Sequence, residues 1–325
     1  MNKQITLSAL SDELAQVKTK KREFLEQIER IVPWGEWIAI IQPCYYKGEC
    51  GNKPYDLELM LRLHLLQNLY DLADEATAAE VIDSRAFSEF CGVDSGNQVP
   101  DGDTIGRFRN ILIDNGLQGK LFAQVIGLLQ QKGLLLKKGT IVDSTLIAAP
   151  SSTKKQEKRR DPDAHQVKKG NSWHFGYKAH IGVDKDSGLV HHLEVTPANV
   201  HDVSVTSQLL TGDEESVYGD SGYLGANKRE NAIVRNHQGK RINYKINRRP
   251  SQIKKLCASG QWKAKKAEHK KSSVRAKVEH VFGVGKGLFR YRKTRYRGLR
   301  KQTAKLHVMF TLANLYLADK RYLAF

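Results

Sequence analysis

The hydrophobic pattern of this chain changes its period near residue 138. Before that point, apolar residues recur every three or four positions, as over residues 11–31, and this spacing predicts helices. After it, short runs rich in valine, isoleucine and threonine predict strands, the first over residues 140–147. We therefore expect an all-α domain over residues 1–137 and a mixed α/β domain over residues 138–325. With 40% hydrophobic residues, a chain of 325 residues can bury a core in each domain.

Three predicted helices in the first part are short and follow one another closely. They cover residues 74–83, 85–91 and 103 or 104 to about 115. A leucine-rich helix at Leu57–Tyr70 precedes them and is expected to lie in the core. The trio suits a helix-turn-helix module, whose last helix would present Thr104, Arg107 and Arg109 to DNA. Ordinary packing of three helices is the alternative interpretation.

The α/β part is predicted to contain five strands and three helices. The strands cover residues 140–147, 178–183, 189–196, 216–220 and 241–246. The helices cover residues 203–210, 226–236 and 272–289. Three consecutive strands followed by alternating helices and strands describe a mixed sheet. Residues 150–172 are expected to form a flexible insertion between the first two strands.

The positive charge of the chain is concentrated at its end. Of a formal net charge of +18, residues 240–325 contribute 25 Lys and Arg against 3 Asp and Glu, while the rest is nearly balanced. A polyanion such as nucleic acid is the natural partner of such a region. A solvated lysine-rich surface or a disordered basic tail is the alternative. Trp262, Phe289 and other aromatic residues interrupt the charges, which argues against a disordered tail.

Location and redox state are predicted from what the sequence lacks. It begins without the basic-then-apolar order of a secretory signal, and no apolar run approaches the roughly 18 residues of a membrane span. The four cysteines form no Cys-x-x-Cys pair, so neither a zinc ribbon nor a disulfide framework is expected. We expect a soluble, cytoplasmic protein.

Three carboxylates stand out in the α/β part. Asp143 lies inside the first predicted strand and Asp220 ends the fourth, and an ionised carboxylate among buried neighbours needs a partner such as a divalent cation. Glu279 lies on a predicted helix, four residues after Arg275 and seven before Lys286, along one helical stripe. Together the three acids could hold Mg²⁺ or Mn²⁺, which prefer oxygen ligands. Alternatively, the aspartates cap turns and Glu279 only pairs with Arg275.

Five motifs in a fixed order carry a resemblance to a known family. They are Ile-Val-Asp-Ser-Thr at 141–145, Asn-Ser-Trp-His-Phe-Gly-Tyr-Lys-Ala-His at 171–180, Ala-Asn-Val-His-Asp at 198–202, Gly-Asp-Ser-Gly-Tyr-Leu-Gly at 219–225, and Arg275-x₃-Glu279-x₆-Lys286. With these motifs the chain resembles bacterial insertion-sequence transposases of the DDE class, in the group typified by insertion sequence five. Related groups carry a tyrosine three residues before the arginine, where this chain has Ser272.

The resemblance implies a fold, a chemistry and partners. It implies an RNase H-like catalytic domain in which Asp143, Asp220 and Glu279 bind two Mg²⁺ or Mn²⁺ ions, and an amino-terminal helical domain that recognises transposon ends. The expected reaction cleaves a phosphodiester at each element end, after which the released 3′ hydroxyl attacks target DNA. Double-stranded DNA is the expected partner, and two inverted ends favour a homodimer. The alternatives are a transposase-derived DNA-binding protein that no longer cuts and an RNase H-like nuclease without strand transfer.

Several further residues are candidates for contact with DNA. Lys178, Arg275 and Lys286 could meet backbone phosphates. Trp173 could stack on an extruded base, or could be a half-buried strand residue. The motif that ends at Asp202 precedes a predicted helix, where an Asn or Asp commonly serves as a cap.

Overall fold

The first half of the chain is helical, as its pattern predicts. The computed structural model describes residues 19–45, 53–151 and 160–322, so residues 11–18 of the first predicted helix lie outside the described residues. The helices are α1 Lys20–Ile31, α2 Trp34–Ile41, α3 Leu57–Tyr70, α4 Asp74–Asp83, α5 Arg85–Cys91, α6 Gly102–Asp114 and α7 Leu117–Gln131. Side-chain oxygens begin three of them, because Thr19, Asp56 and Asp101 accept backbone N–H groups of α1, α3 and α6.

Helix α3 is the centre of this half. Ten of its fourteen residues are buried, and they lie on every side of the helix. A helix that is apolar all round has to be enclosed by its neighbours. The first turn is fixed by Asp56, whose carboxylate accepts the Leu59 N–H at 3.1 Å, and the helix ends at Asp71 in a left-handed conformation. The core position predicted for this segment is confirmed.

A six-stranded mixed sheet begins where the pattern changes period. Its strands are β1 Gly139–Ala148, β2 His165–Lys169, β3 Ser172–Asp184, β4 Val190–Pro197, β5 Ser216–Gly219 and β6 Asn243–Ile246. β3 pairs antiparallel with β1 on one side and with β2 and β4 on the other. β1 pairs parallel with β5, which pairs parallel with β6. β1 is therefore central, with a neighbour on each side.

Further helices lie in this part of the chain. They are α8 Asp202–Val205, α9 Pro250–Lys254, α10 Ala258–Gly283 and α11 Leu299–Tyr322. α10 packs on β1 and β5, and α11 packs on both β4 and α7. Buried residues of α11 such as Phe310 and Leu312 belong to a core that continues into α3 and α7. The last helix thus joins the helical half of the chain to the sheet.

Three local predictions are corrected by the structure. Residues 226–236 are not a helix but a 3₁₀ turn followed by irregular chain, because backbone bonds such as Ile242 N–H to Val234 O hold this segment against the next. Residues 150–172 contain strand β2, so the described part of this region is no plain loop. The helix predicted at 272–289 begins earlier, at Ala258, and gives way to a five-residue π-helical turn at Val284–Leu288.

Candidate active site

The register of two parallel strands brings Asp143 and Asp220 to the same level of the sheet. In the ladder between β1 and β5, Ile141 lies opposite Tyr218. Two residues further along each chain are Asp143 and Asp220, the latter just past the end of its strand. The two carboxylates, 77 positions apart in sequence, are therefore neighbours across the sheet.

Asp143 is a largely buried carboxylate with two hydrogen-bond partners. The N–H of Ser144 donates to Oδ1 at 2.8 Å, and Nη2 of Arg275 lies 3.3 Å from Oδ2. Burial raises the pKa of Asp143 above its usual value, and the charge of Asp220 adds to this, while Arg275 and the Ser144 N–H oppose it. The charged form is thus only partly compensated by the protein, so a cation at this point would stabilise it.

A glycine lies directly beside the carboxylate of Asp220. Its Oδ1 accepts the Gly222 N–H at 2.8 Å, which begins a 3₁₀ turn at Ser221–Tyr223. A methyl group on Gly222 would lie 3.0 Å from Asp220 Oδ1 and 3.7 Å from Asp202 Oδ2. Any larger residue at position 222 would therefore press on the Asp220 carboxylate and contact that of Asp202.

Helix α10 and the π-helical turn after it are each hydrogen-bonded to β1, and Glu279 lies between the two bonds in sequence. Arg275 bonds Asp143, and Nζ of Lys286 donates to the backbone oxygen of Leu146 at 2.8 Å. Glu279 is one helical turn beyond Arg275, is exposed, and lies close enough to Lys286 to act on its pKa. The helix therefore lies along β1 from Asp143 to Leu146, with Glu279 between these two contacts in sequence.

Family models match both halves of the chain. One described as "Transposase DDE domain" matches residues 135–315, and one described as "Transposase domain (DUF772)" matches residues 12–110. The first covers more than half of the chain. The chain belongs to the DDE transposase family. The mixed sheet with its helices has the RNase H-like architecture expected of a DDE domain, and no solved structure matches the chain.

The side chains of the transposase fit a divalent cation only in part. The donors at Asp143, Asp220 and Glu279 are all carboxylate oxygens, the type that Mg²⁺ and Mn²⁺ prefer, and Gly222 keeps space beside Asp220. Within the described residues, however, no three His, Cys, Asp or Glu side chains converge closely enough to form a ready-made metal site. The two aspartates follow neighbouring strands of the sheet, whereas Glu279 lies on helix α10.

Lys178 is engaged inside the transposase and not on a DNA-facing surface. Its Nζ donates to Asp202 Oδ1 at 3.0 Å and to the backbone oxygen of Val200 at 2.8 Å, and the residue is buried. The capping role considered for the motif at 198–202 is wrong, because Asp202 is already the first residue of α8 and its carboxylate binds Lys178. The sequence pattern placed both residues in motifs but could not pair them across 24 positions.

Lys286 also differs from its predicted role. Burial lowers the pKa of this half-buried lysine, as does Lys169, while Glu279 raises it. Its bond to Leu146 makes it an anchor of the helix end, and it lies within the π-helical turn. The pattern of residues predicted a regular helix over 272–289 and gave no sign of the change in helical pitch.

In the helix-turn-helix candidate, the three residues predicted to contact DNA differ in exposure and in partners. Arg107 is exposed and Thr104 is half-buried on α6. Arg109 instead forms an ion pair with Asp74 of α4 and stacks on Tyr296, with its guanidinium carbon 4.0 Å from the ring centroid. Arg109 therefore fastens the helical half to the carboxy-terminal region, and Arg107 is the one of the two arginines that faces outward.

Two tryptophans of the transposase are exposed. Trp173 on β3 is 66% exposed, so the half-buried alternative is wrong, and Trp262 near the start of α10 is 65% exposed. The first half of α10 buries only Ala264, although it carries most of the lysines of residues 263–271. This stretch is thus a positively charged helix surface. Among the described residues, none of the helices has the length and apolar character to cross a membrane.

Proposed function

We propose that this chain is a DNA transposase of the insertion sequence five group that cleaves the ends of its element and joins the 3′ hydroxyl ends to target DNA. One observation carries the proposal. Asp143 and Asp220 lie side by side at the level where β1 and β5 leave their ladder, in a domain of the DDE family. The order of motifs from residue 141 to residue 286 supports the narrower group assignment.

Asp143, Asp220 and Glu279 would hold two Mg²⁺ or Mn²⁺ ions. Such ions activate an attacking hydroxyl and stabilise the leaving 3′ oxygen of a phosphodiester. Burial and the neighbouring Asp220 make Asp143 a carboxylate that gains from added positive charge. Glu279 would complete the site from the helix side, with Arg275 and Lys286 fixing the helix that carries it.

DNA would be held by groups outside the carboxylate site. The lysines of the first half of α10 suit the phosphate backbone, because such contacts depend on charge and not on sequence. Arg107, exposed on α6, is the candidate for reading the element ends. Two inverted ends joined in one reaction favour a homodimer of the transposase on paired ends.

The test uses the full-length protein and DNA that carries an element end. Asp143→Ala, Asp220→Ala and Glu279→Ala should each abolish Mg²⁺-dependent cleavage and leave gel-shift binding to the same DNA largely intact. If the wild-type protein cleaved the element end but did not join the 3′ end to target DNA, the result would instead favour the nuclease without strand transfer. If any of the three variants cut substantially, that residue would be removed from the site. End binding by the wild-type protein without any cleavage would favour the DNA-binding alternative.

A further inference from the structure

A fourth carboxylate, Asp202, lies beside Asp220. Its Oδ2 and the Oδ1 of Asp220 lie within 3.7 Å and 3.0 Å of the position that a methyl group on Gly222 would occupy. Asp202 is partly exposed, as is required of a group that meets a ligand. One oxygen of each carboxylate therefore lies near the same point beside Gly222.

The protein holds Asp202 by one oxygen only. Lys178 donates to Oδ1 and to Val200, and Nδ1 of His180 lies 3.7 Å from the same Oδ1. His180 is held in place from its other side, because its Nε2 is 2.8 Å from the hydroxyl of Thr196. Oδ2 accepts no hydrogen bond in the described part of the chain, so one oxygen is fixed while the other lies unbonded near Gly222.

Two buried polar groups lie near these carboxylates without a full set of partners. Nδ1 of His180, a buried side chain, makes no hydrogen bond. The hydroxyl of Tyr223 is buried and makes none of standard geometry, although Ser144 is close enough to act on its pKa. Asp202, Asp143 and Asp220 are all close enough to Tyr223 to act on its hydroxyl.

We propose that Asp202 is a fourth carboxylate of the cation site, on the Asp220 side, and that Lys178 holds it there. The alternative is that Asp202 serves only as the counter-charge of a buried lysine. The inference rests on the proposed function, because it assigns a further residue to the same site. A residue that orients or supplements metal ligands typically changes metal affinity by about 10- to 100-fold when it is replaced.

The experiment is a titration of the full-length, DNA-free protein with Mn²⁺, in which electron paramagnetic resonance reports free Mn²⁺. Asp202→Asn should weaken Mn²⁺ binding about tenfold or more. The double variant Lys178→Met/Asp202→Asn removes both charges of the pair and should be weakened likewise. Asp213→Asn is the matched control, because Asp213 is exposed and pairs with His237 away from these residues, and it should bind as the wild type does.

Each outcome decides between the two roles of Asp202. Recovery of wild-type affinity in the double variant would mean that the single variant suffers only from the uncompensated charge of Lys178, and would overturn the inference. Wild-type affinity in both variants would overturn it as well. If Asp202→Asn alone fails to fold, as a melting curve without Mn²⁺ would reveal, the double variant carries the test. Wild-type affinity in Asp143→Ala and Asp220→Ala would instead overturn the proposed cation site itself.

Discussion

Lys286 offers a prediction in which stability and cleavage respond by different amounts. Replacing it with methionine keeps the aliphatic stem and removes the ammonium group that donates to Leu146 O at 2.8 Å. A hydrogen bond from a charged group contributes about 1.5–3 kcal/mol, and because Lys286 is half-buried we expect a loss near the lower end, about 1–2 kcal/mol. For a chain of this size that lowers the melting temperature by only a few degrees.

Cleavage should fall further than stability. Arg275 on α10 and Lys286 in the turn after it both bond to β1, and Glu279 lies between them in sequence. A displacement of about 1 Å at a catalytic group can cost about 100-fold in rate, so releasing one fastening should slow Mg²⁺-dependent cleavage at least tenfold. Melting curves and the initial rate of cleavage of end-bearing DNA measure the two effects.

The same helix provides a matched control for Lys286. Lys277 also donates to backbone oxygens, those of Lys185 at 2.7 Å and Asp186 at 2.9 Å, but these lie at the turn between β3 and β4. Lys277→Met should therefore cost a similar amount of stability and leave cleavage within about threefold of wild type. Equal cleavage rates in Lys277→Met and Lys286→Met would refute the argument that the anchor at Leu146 positions Glu279.

Three further predictions concern other parts of the molecule. Arg107→Ala should reduce the preference for element ends over random DNA by about 1–3 kcal/mol if Arg107 reads a guanine, as competition binding would measure. Arg109→Ala breaks the ion pair with Asp74 and should instead lower the melting temperature, as melting curves would measure. Trp173→Ala should change the free energy of unfolding by no more than about 0.5 kcal/mol, because the side chain is largely exposed, and a larger loss in denaturant titration would contradict that placement. Burial lowers the pKa of His64 to about 3 from an ordinary value of 6.5, so the unfolded protein takes up a proton at higher pH than the folded protein does. The free energy of unfolding should therefore fall as the pH drops from 6.5 towards 3, by up to about 1.4 kcal/mol per pH unit, and His64→Gln should flatten this pH dependence.

Local pattern predicted the elements well wherever local forces decide them. The bounds of α3, α4 and α5 agree with the prediction; Asp56 caps the first turn of α3, and α5 buries Phe87, Phe90 and Cys91. Residues 226–236 failed for a tertiary reason. Tyr244 donates its hydroxyl hydrogen to the backbone oxygen of Ile233 at 2.8 Å. Ile233 also packs against a second, smaller core that includes Leu209 and Val217, so long-range contacts replaced the helical bonds.

Side-chain partners were the least predictable part of the site. Asp143 and Asp220 could be singled out because a carboxylate in a strand is unusual, and the ladder then makes them neighbours. Asp202 had no such signal, since an aspartate before a short helix is ordinary. Only the folded chain brings it to Lys178 of β3, and only there does its free oxygen meet the space beside Asp220.

The three proposed catalytic acids are positioned by two different kinds of force. The β1 and β5 ladder ends at Ile141 and Tyr218, two residues before each aspartate, and a ladder cannot shift by one residue without turning every side chain to the other face. Glu279 is positioned by its helix, which buries Val278 and Val281 and bonds Asp143 through Arg275. Arg275 fastens the helix by bonding Asp143, the same carboxylate that a cation would engage. Charge brought to Asp143 would therefore act directly on the contact that positions Glu279, and the third acid is the member of the site whose position depends most on what Asp143 binds.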